Sequence, residues 1–446
     1  MTTDFQEINI QIPRTDKPRL VIIGGGFAGL NIMKEIDTRY YQVVVLDRHN
    51  YHTFQPLLYQ VATAGLEPGS IAGPLRHFIE DNEHVFFRMA KVSEINPERK
   101  TITTPVGELK YDYLIIACGS RTNYFGKDEA FREALPLKQI PQALNMRSHI
   151  LQNFEKAVNT VDSYELRSLL NIVIVGGGPT GVEVAGALGE LRSHVLPKDY
   201  PELNFRHMQI YLVEGLPRLL SGMSDKAGRK ATKYLKDFDV NLMLNTMVES
   251  YDGKEVRLNN GEIIPTQTLV WAAGVKGNII PGLPAEVIER DRILVDEFNC
   301  VKGYETLFAV GDIAQMTTKK FPKGLPMLAP VAIQQGEQLA KNLNRLVQGK
   351  AMKPFKFTNK GYMATVGRNR AVVDMPNGWS FGGFMAWMAW MFVHLLYLIG
   401  FRNKLVVLNN WIWNYFTYDR GIRLIIRPFD REEKLKQQEA EIPGLK

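Results

Sequence analysis

Short apolar runs that stop at glycine recur along this chain, and their spacing predicts its architecture. Residues 19–24 (Arg-Leu-Val-Ile-Ile-Gly) form a β-branched run of the length expected of a strand buried on both faces. The cluster Gly24-Gly-Gly26-Phe27-Ala28-Gly29 follows, then a helical stretch over 30–39 and a second apolar run, 42–46, closing on Asp47. The pattern then repeats: 171–175 reads as a strand, Gly176-Gly-Gly178-Pro179-Thr180-Gly181 as its loop, 182–191 as a helix, and 207–213 as a strand closing on Glu214. Three further strands end in small residues, at Ala117 to Gly119, at Ala273-Gly274 and at Gly311-Asp312. Strands and helices alternating in this way predict an α/β chain with two Rossmann-like dinucleotide-binding domains.

Each glycine loop carries the same chemistry. The first glycine permits the tight turn, the second lets a pyrophosphate approach the backbone, and the third lets helix and strand pack closely. The phosphates then rest on free N–H groups at the positive end of a helix. Asp47 stands 18 residues past Gly29, near the ~20 expected of the acid that binds a ribose diol. Glu214 stands 33 residues past Gly181; the polar insert 193–206, with Pro197 and Pro201, reads as a loop that accounts for the excess. A carboxylate ~4 Å from a 2′-phosphate costs roughly 4 kcal/mol per unit charge at an effective dielectric near 20, so Glu214 predicts NADH over NADPH. Glu183 falls in what reads as the buried first turn of the second helix. Its bland role there is to complement the helix dipole, and its sharper one is to shape the nicotinamide pocket.

Composition narrows the class. The 446 residues are 45% hydrophobic with a net charge of +7, a globular chain long enough for several domains. The modest basic excess suits pyrophosphates or an acidic membrane surface, and no basic cluster interleaved with aromatics points to nucleic acid. Cys118 and Cys300 are the only cysteines, which excludes a disulfide scaffold and disfavours a cysteine-based metal site. Asp4 and Glu7 interrupt the N-terminus, and no signal-peptide core precedes the first strand.

With both loops and the Gly311-Asp312 strand in view, the chain resembles the two-dinucleotide-binding-domain flavoproteins. That resemblance implies an NAD domain inserted into an FAD domain, with Asp312 on the flavin and Ala117 and Gly119 at the domain junction. Two stretches, His49-Asn-Tyr-His-Thr-Phe-Gln-Pro-Leu-Leu-Tyr-Gln60 and Ala329-Pro-Val-Ala-Ile-Gln-Gln-Gly336, resemble one family within it: the type II NADH dehydrogenase, a single-subunit, non-proton-pumping NADH:quinone oxidoreductase. The likeness runs over residues 19–427. It implies an FAD set of Gly24, Gly26, Phe27, Ala28, Gly29, Asp47, Arg48, Gln55, Ala117, Gly119, Gly311 and Asp312. The NAD set is Gly176, Gly178, Pro179, Thr180, Gly181, Glu183, Glu214, Ala273 and Gly274. The quinone set is Tyr59, Gln60, Ala332, Ile333, Gln334, Gln335 and Gly336. Pro330 stands where the family usually has Gln, so Gln334 or Gln335 must supply that contact. The flavin would carry the chemistry, hydride in from NADH and two electrons out to quinone, with no catalytic side chain and no metal required. The expected layout is 1–125 and 286–350 for FAD, 126–285 for NAD, and 351–446 for membrane attachment.

That last segment has its own pattern. Between 375 and 418 the only fully charged side chains are Arg402 and Lys404, and five of six tryptophans fall there. The uncharged run 384–401 is at the lower limit of a membrane span. A buried core helix and a protein interface are the other readings. The favoured one is a helix lying in the membrane surface, with Leu405, Leu408, Ile412 and Tyr415 on one face and Asn403, Asn410, Asn414 and Thr417 on the other. Arg402, Lys404, Arg420, Arg423 and Arg427 would meet anionic lipid, and 430–446 would be a solvated tail. The partners expected are NADH, a membrane quinone and a phospholipid surface at the cytoplasmic face of the inner membrane, with a homodimer left open and no nucleic acid. Two rivals stay open: a sulfide:quinone reductase, which needs paired redox cysteines, and a non-catalytic NAD-sensing flavoprotein.

Overall fold

The computed structural model describes residues 10–13, 15–80, 82–127, 132–418, 421–426 and 428–430. Arg420, Arg427 and the tail beyond Asp430 lie outside the described residues, as do Asp4 and Glu7. The principal elements begin with β1 (Arg19–Ile23), α1 (Phe27–Glu35), β2 (Gln42–Asp47), α2 (Leu58–Ala62), β3 (Val85–Met89) and β4 (Tyr113–Ile116). Next come β5 (Leu135–Pro136), α3 (Ile140–Val158), β6 (Ile172–Val175), α4 (Pro179–His194), β7 (Ile210–Glu214), α5 (Asp225–Lys236), β8 (Val240–Leu244) and β9 (Thr268–Trp271). The chain continues through β10 (Leu307–Ala309), α6 (Ala329–Leu346), β11 (Tyr362–Thr365), β12 (Ala371–Asp374), β13 (Ser380–Gly382), α7 (Phe384–Tyr397) and α8 (Phe401–Thr417).

These elements form two compact units. One takes residues from 1–53, 73–121 and 275–359, the other from 54–72, 122–274 and 360–446. The first is built on a five-stranded parallel sheet of order β10-β4-β1-β2-β3. Val21, Ile23, Val44, Leu46, Leu114 and Ile116 of its strands are buried in one core, each contributing about 1.5–3 kcal/mol of apolar burial. The second unit carries another five-stranded parallel sheet, β5-β9-β6-β7-β8. In both, the strand that feeds the glycine loop lies between the strand that ends in an acid and the strand that ends in small residues. That position is the switch point of a doubly wound sheet, where the carboxyl ends of the strands open a crevice.

Several boundaries differ from the pattern. The first helix starts at Phe27, three residues earlier than the apolar spacing suggested, because the glycine cluster itself forms its first turn. It ends at Glu35, where Ile36 turns extended. The second begins at Pro179, whose missing N–H and preset φ suit a first helical position, and runs to His194. The insert 193–206 is therefore not a loop throughout: α4 enters it, and a helical turn, Leu196–Asp199, follows with Val195 and Leu196 buried. The polar residues around those two had hidden a small apolar anchor.

The uncharged run 384–401 divides. Helix α7 is 14 residues long, about 21 Å against the ~30 Å of a bilayer core. The chain leaves α7 at Leu398 and re-enters α8 after Gly400 at φ +83°. No helix among the described residues is long and apolar enough to cross a membrane. Helix α8 keeps two faces, with Asn403 and Asn414 turned inward. Asn403 donates to the Ala72 carbonyl at 2.9 Å and Asn414 to that of Gly65 at 3.4 Å, while Leu405, Leu408 and Ile412 are exposed. Phe392, Phe401, Trp413 and Phe416 are each 62% exposed or more. Tyr415 departs from its expected face and stacks on Trp387 at 5.5 Å. Arg423, expected to face lipid, is paired instead with Asp199.

Candidate functional site

The two glycine loops are near copies in geometry. Gly24 and Gly176 sit at φ +108° and +110°, where L side chains are strained, and a Cβ on either would strike the backbone of Ala117 or Ala272. A Cβ on Gly29 would collide with the Gly24 carbonyl, and one on Gly181 with that of Gly176. The middle glycines behave differently. A Cβ at Gly26 or Gly178 meets nothing within 4 Å, and both have ordinary negative φ. Each caps the N-terminus of a helix with no side-chain cap and no acid in the first turn. The open space and the uncapped N–H groups match a pyrophosphate, so both loops fit a dinucleotide.

The acids close the same circuit. Asp47 accepts from the Gly25 N–H at 2.7 Å and the His49 N–H at 2.8 Å. Glu214 accepts from the Gly177 N–H at 2.5 Å and the Leu216 N–H at 2.8 Å. Each carboxylate oxygen thus spends one lone pair on the backbone and keeps acceptor capacity for a ribose hydroxyl. Glu214→Ala should lower the ratio of kcat/KM for NADH over NADPH by about 100-fold; an unchanged ratio would remove its role in selection.

In the first unit Asp312, just past β10, accepts from the Ser120 hydroxyl at 2.5 Å. The predicted FAD residues of that unit gather at the ends of β1, β2, β4 and β10, with Arg48 exposed at the edge. Gln55 belongs to the second unit. His52 was not anticipated. It is buried, its Nδ1 lies 3.0 Å from the Gly25 carbonyl, and burial pushes its pKa down to about 4. A neutral imidazole therefore braces the loop from below. The two glutamines of the predicted quinone motif are already engaged. Gln335 is buried and accepts from the Gly311 N–H at 2.7 Å. Gln334 donates to and accepts from the backbone of Thr358 at 3.0 and 2.9 Å. Gly336 lets α6 cross α1, since a Cβ there would meet the Ala28 carbonyl at 2.6 Å.

In the second unit α4 is buried along most of its length, and Glu183 with it. The helix starts at Pro179, so Glu183 lies in the second turn, beyond the N-terminal donors. Burial pushes its carboxyl up to about 8, against weaker opposing pulls from the Thr365 backbone and the Trp390 indole. That indole N–H lies close enough to be felt but has no acceptor in hydrogen-bonding geometry. A carboxyl neutral at pH 7 cannot complement the helix dipole, so that bland role fails.

A cleft of roughly 750 Å³, open mouth included, lies in the same unit between α2, α4, α7 and α8. The predicted quinone residues Tyr59 and Gln60 line it with Trp387, Trp390, Trp411 and Tyr415. Trp411 donates to Gln60 at 2.8 Å, and Gln60 donates to the Tyr59 hydroxyl at 2.8 Å. The Tyr59 ring meets Trp390 edge-on at 6.4 Å. Trp390 also stacks on His394 at 4.1 Å, whose pKa burial pushes down to about 4. The tryptophan-rich composition marked this region; only the fold shows that three of those indoles line one cleft.

The cysteines do not form a redox pair. Cys118 donates to the Asn278 carbonyl and Cys300 to that of Tyr304, and burial pushes their thiols up to about 12 and about 11. Both are protonated at neutral pH, and the thiolate is the reactive form. No group of three or more metal-ligating side chains occurs among the described residues.

Over residues 18–336 the chain matches the family model of the pyridine nucleotide-disulphide oxidoreductases, and over 359–418 that of the NDH2 C-terminal domain. A type II NADH:quinone oxidoreductase of Mycobacterium tuberculosis is 35% identical over 421 residues, 90% of this chain and 88% of that protein. An external alternative NADH-ubiquinone oxidoreductase of Yarrowia lipolytica is 29% identical, covering 89% of this chain and 79% of its own. Among solved structures, NDH2 from Plasmodium falciparum in complex with NADH aligns at a TM-score of 0.83 and 21% identity, over 90% of this chain and 98% of that one. A sulfide:quinone oxidoreductase of Aquifex aeolicus aligns at 0.68 and 17% identity, over 90% and 95%, a likeness of fold alone.

Proposed function

This chain belongs to the type II NADH:quinone oxidoreductases, and from that premise we propose that it oxidises NADH and reduces a membrane quinone, without pumping protons. FAD, when bound, accepts the hydride and returns two electrons to the quinone. The glycine loop of the first unit, with Asp47 and Asp312, would hold FAD, and that of the second, with Glu214, would hold NADH. The net reaction is NADH, one proton and quinone to NAD⁺ and quinol.

The observation that carries the quinone half is the aromatic cleft. The rings of Trp387, Trp390, Trp411 and Tyr415 line it, as a ligand arriving from lipid requires. Tyr59 and Gln60, with Arg368 and Glu190, are among its polar groups, of which the Tyr59 hydroxyl would orient a carbonyl. Glu183 would border the nicotinamide end of its loop as a neutral carboxyl, near the same Trp390 that lines the cleft. A group protonated at pH 7 and titrating near 8 is suited to give up a proton as quinone becomes quinol.

The outward apolar sides of α7 and α8 support attachment to the bilayer. Half a dozen exposed rings and aliphatic chains at about 1.5–3 kcal/mol each suffice for firm binding in the interface plane. The cytoplasmic face of the inner membrane is the surface this reading assigns, since NADH is supplied there.

The test is anaerobic. NADH should bleach the flavin band of the purified holoenzyme, and added quinone should restore it within the turnover time. A flavin that NADH leaves oxidised, or that quinone leaves reduced, overturns the reading.

A further inference from the structure

Helix α5 carries five cations, Lys226, Arg229, Lys230, Lys233 and Lys236, and one acid, Asp225. It is strongly two-sided: Ala227, Gly228, Ala231 and Leu235 are buried, while Lys226, Arg229, Lys233 and Lys236 are exposed. Nothing in dinucleotide binding calls for a basic row on this helix. The neighbouring acids are spent elsewhere. Asp225 pairs with Arg218 at 3.4 Å, Asp237 with Arg370 at 3.8 Å, and Asp374 accepts from the Ser224 backbone and hydroxyl. Among the described residues, none of the five α5 cations has an acid within ion-pair distance.

The location of the row gives it meaning. Lys226 donates to the Ser380 carbonyl at 2.7 Å, next to Trp379, which is 61% exposed. The Lys230 ammonium lies 3.2 Å from where a Cβ on Gly382 would stand, and the Tyr234 hydroxyl 3.7 Å from that on Gly383. The basic edge of α5 therefore runs along β13, the strand that leads from Trp379 into α7 and its exposed Phe384 and Met385. Rings that enter the acyl boundary and ammonium groups beside them are the two halves of an interfacial surface.

We propose that the outer face of α5 docks on the phosphates of anionic phospholipids, a second anchor supplied by the NADH-binding unit itself. The proposal rests on the attachment reading above and adds a charge requirement to it. Surface lipid adds roughly 1 kcal/mol per nearby cation, and the interaction weakens over a Debye length as salt rises.

The test uses full-length holoenzyme and co-sedimentation with vesicles, either of neutral phosphatidylcholine or of phosphatidylcholine with phosphatidylglycerol. The variant is R229Q/K233Q/K236Q, compared with the equal charge change K319Q/K320Q/K323Q at exposed lysines of the other unit. Wild type should bind anionic vesicles more tightly than neutral ones. The α5 variant should lose roughly 10- to 100-fold on anionic vesicles only, with its reduction of a water-soluble quinone in detergent unchanged. Three outcomes overturn the proposal: equal losses in both triple variants, no loss in the α5 variant, or wild-type binding indifferent to anionic lipid. Wild type that sediments with neither vesicle removes the attachment reading, and the proposal with it. Capture of acidic proteins or nucleic acid by wild type, without a lipid effect, would reassign the surface.

Discussion

Gly26→Ala should fold as the wild type does and be purified with little or no flavin, whereas Gly178→Ala should keep its flavin and respond poorly to NADH. The reasoning is geometric. A methyl at either position meets no protein atom within 4 Å and needs no unusual backbone, so the only thing it can displace is a ligand. One methyl forced into a close-packed contact costs about 1–3 kcal/mol, which is roughly 5- to 150-fold in affinity. Gly29→Ala and Gly181→Ala make the contrast. There the methyl strikes the protein's own carbonyl, and thermal stability of the apoprotein should fall along with binding. Flavin absorbance per protein, the NADH concentration for half-bleaching and a melting curve for each variant read all of this. Full flavin in Gly26→Ala would remove the first loop from the FAD site. Equal flavin loss in Gly26→Ala and Gly178→Ala would undo the division of labour between the loops.

The second large effect is expected at Glu183. Its carboxyl is raised from 4.5 to about 8 by burial, so the folded protein holds a proton that the unfolded chain releases over that range. Stability from this group is fully present below pH 4.5. It declines as pH rises toward 8 and is level beyond. Glu183→Gln removes the dependence, so its melting temperature should exceed that of wild type by a margin that widens from pH 5 to 8 and then stops widening. At about 1.4 kcal/mol per pH unit the whole window amounts to roughly 3–5 kcal/mol. The kinetic counterpart is separate. Bleaching by NADH should persist in the Gln variant while quinone reduction slows by about 100-fold, the lower range for a positioned acid. A constant melting difference across pH would show that the carboxyl holds no such proton, and unimpaired quinone reduction would show that quinol formation does not draw on it.

Both arguments rest on features with different visibility in the sequence. Asp47 and Glu214 could be assigned in advance because each ends the strand beside a glycine loop, and a parallel βαβ unit leaves that position little freedom. Glu183 could be singled out as an odd acid in an apolar helix, but its turn was misjudged, because Pro179 starts the helix earlier than apolar spacing reveals. Gln334 and Gln335 are less visible in the sequence. The family resemblance made both quinone candidates, and nothing local shows that one side-chain oxygen accepts from Gly311 and the other from Thr358. His52 was passed over for a similar reason: a histidine in a motif carries no sign of its burial.

The two loops, their acids, the α/β class and the outward apolar residues of α8 follow from the sequence alone. Each depends on chain geometry within a few dozen residues: a glycine's φ, a strand's end, a helix's period. The protonation of Glu183, the hydrogen bonds of the two glutamines, the aromatic cleft and the seat of Lys226 and Lys230 along β13 required the tertiary structure. They depend on which distant segments remove water from a side chain or offer it a partner. Long-range packing sets those energies, and no local pattern records them.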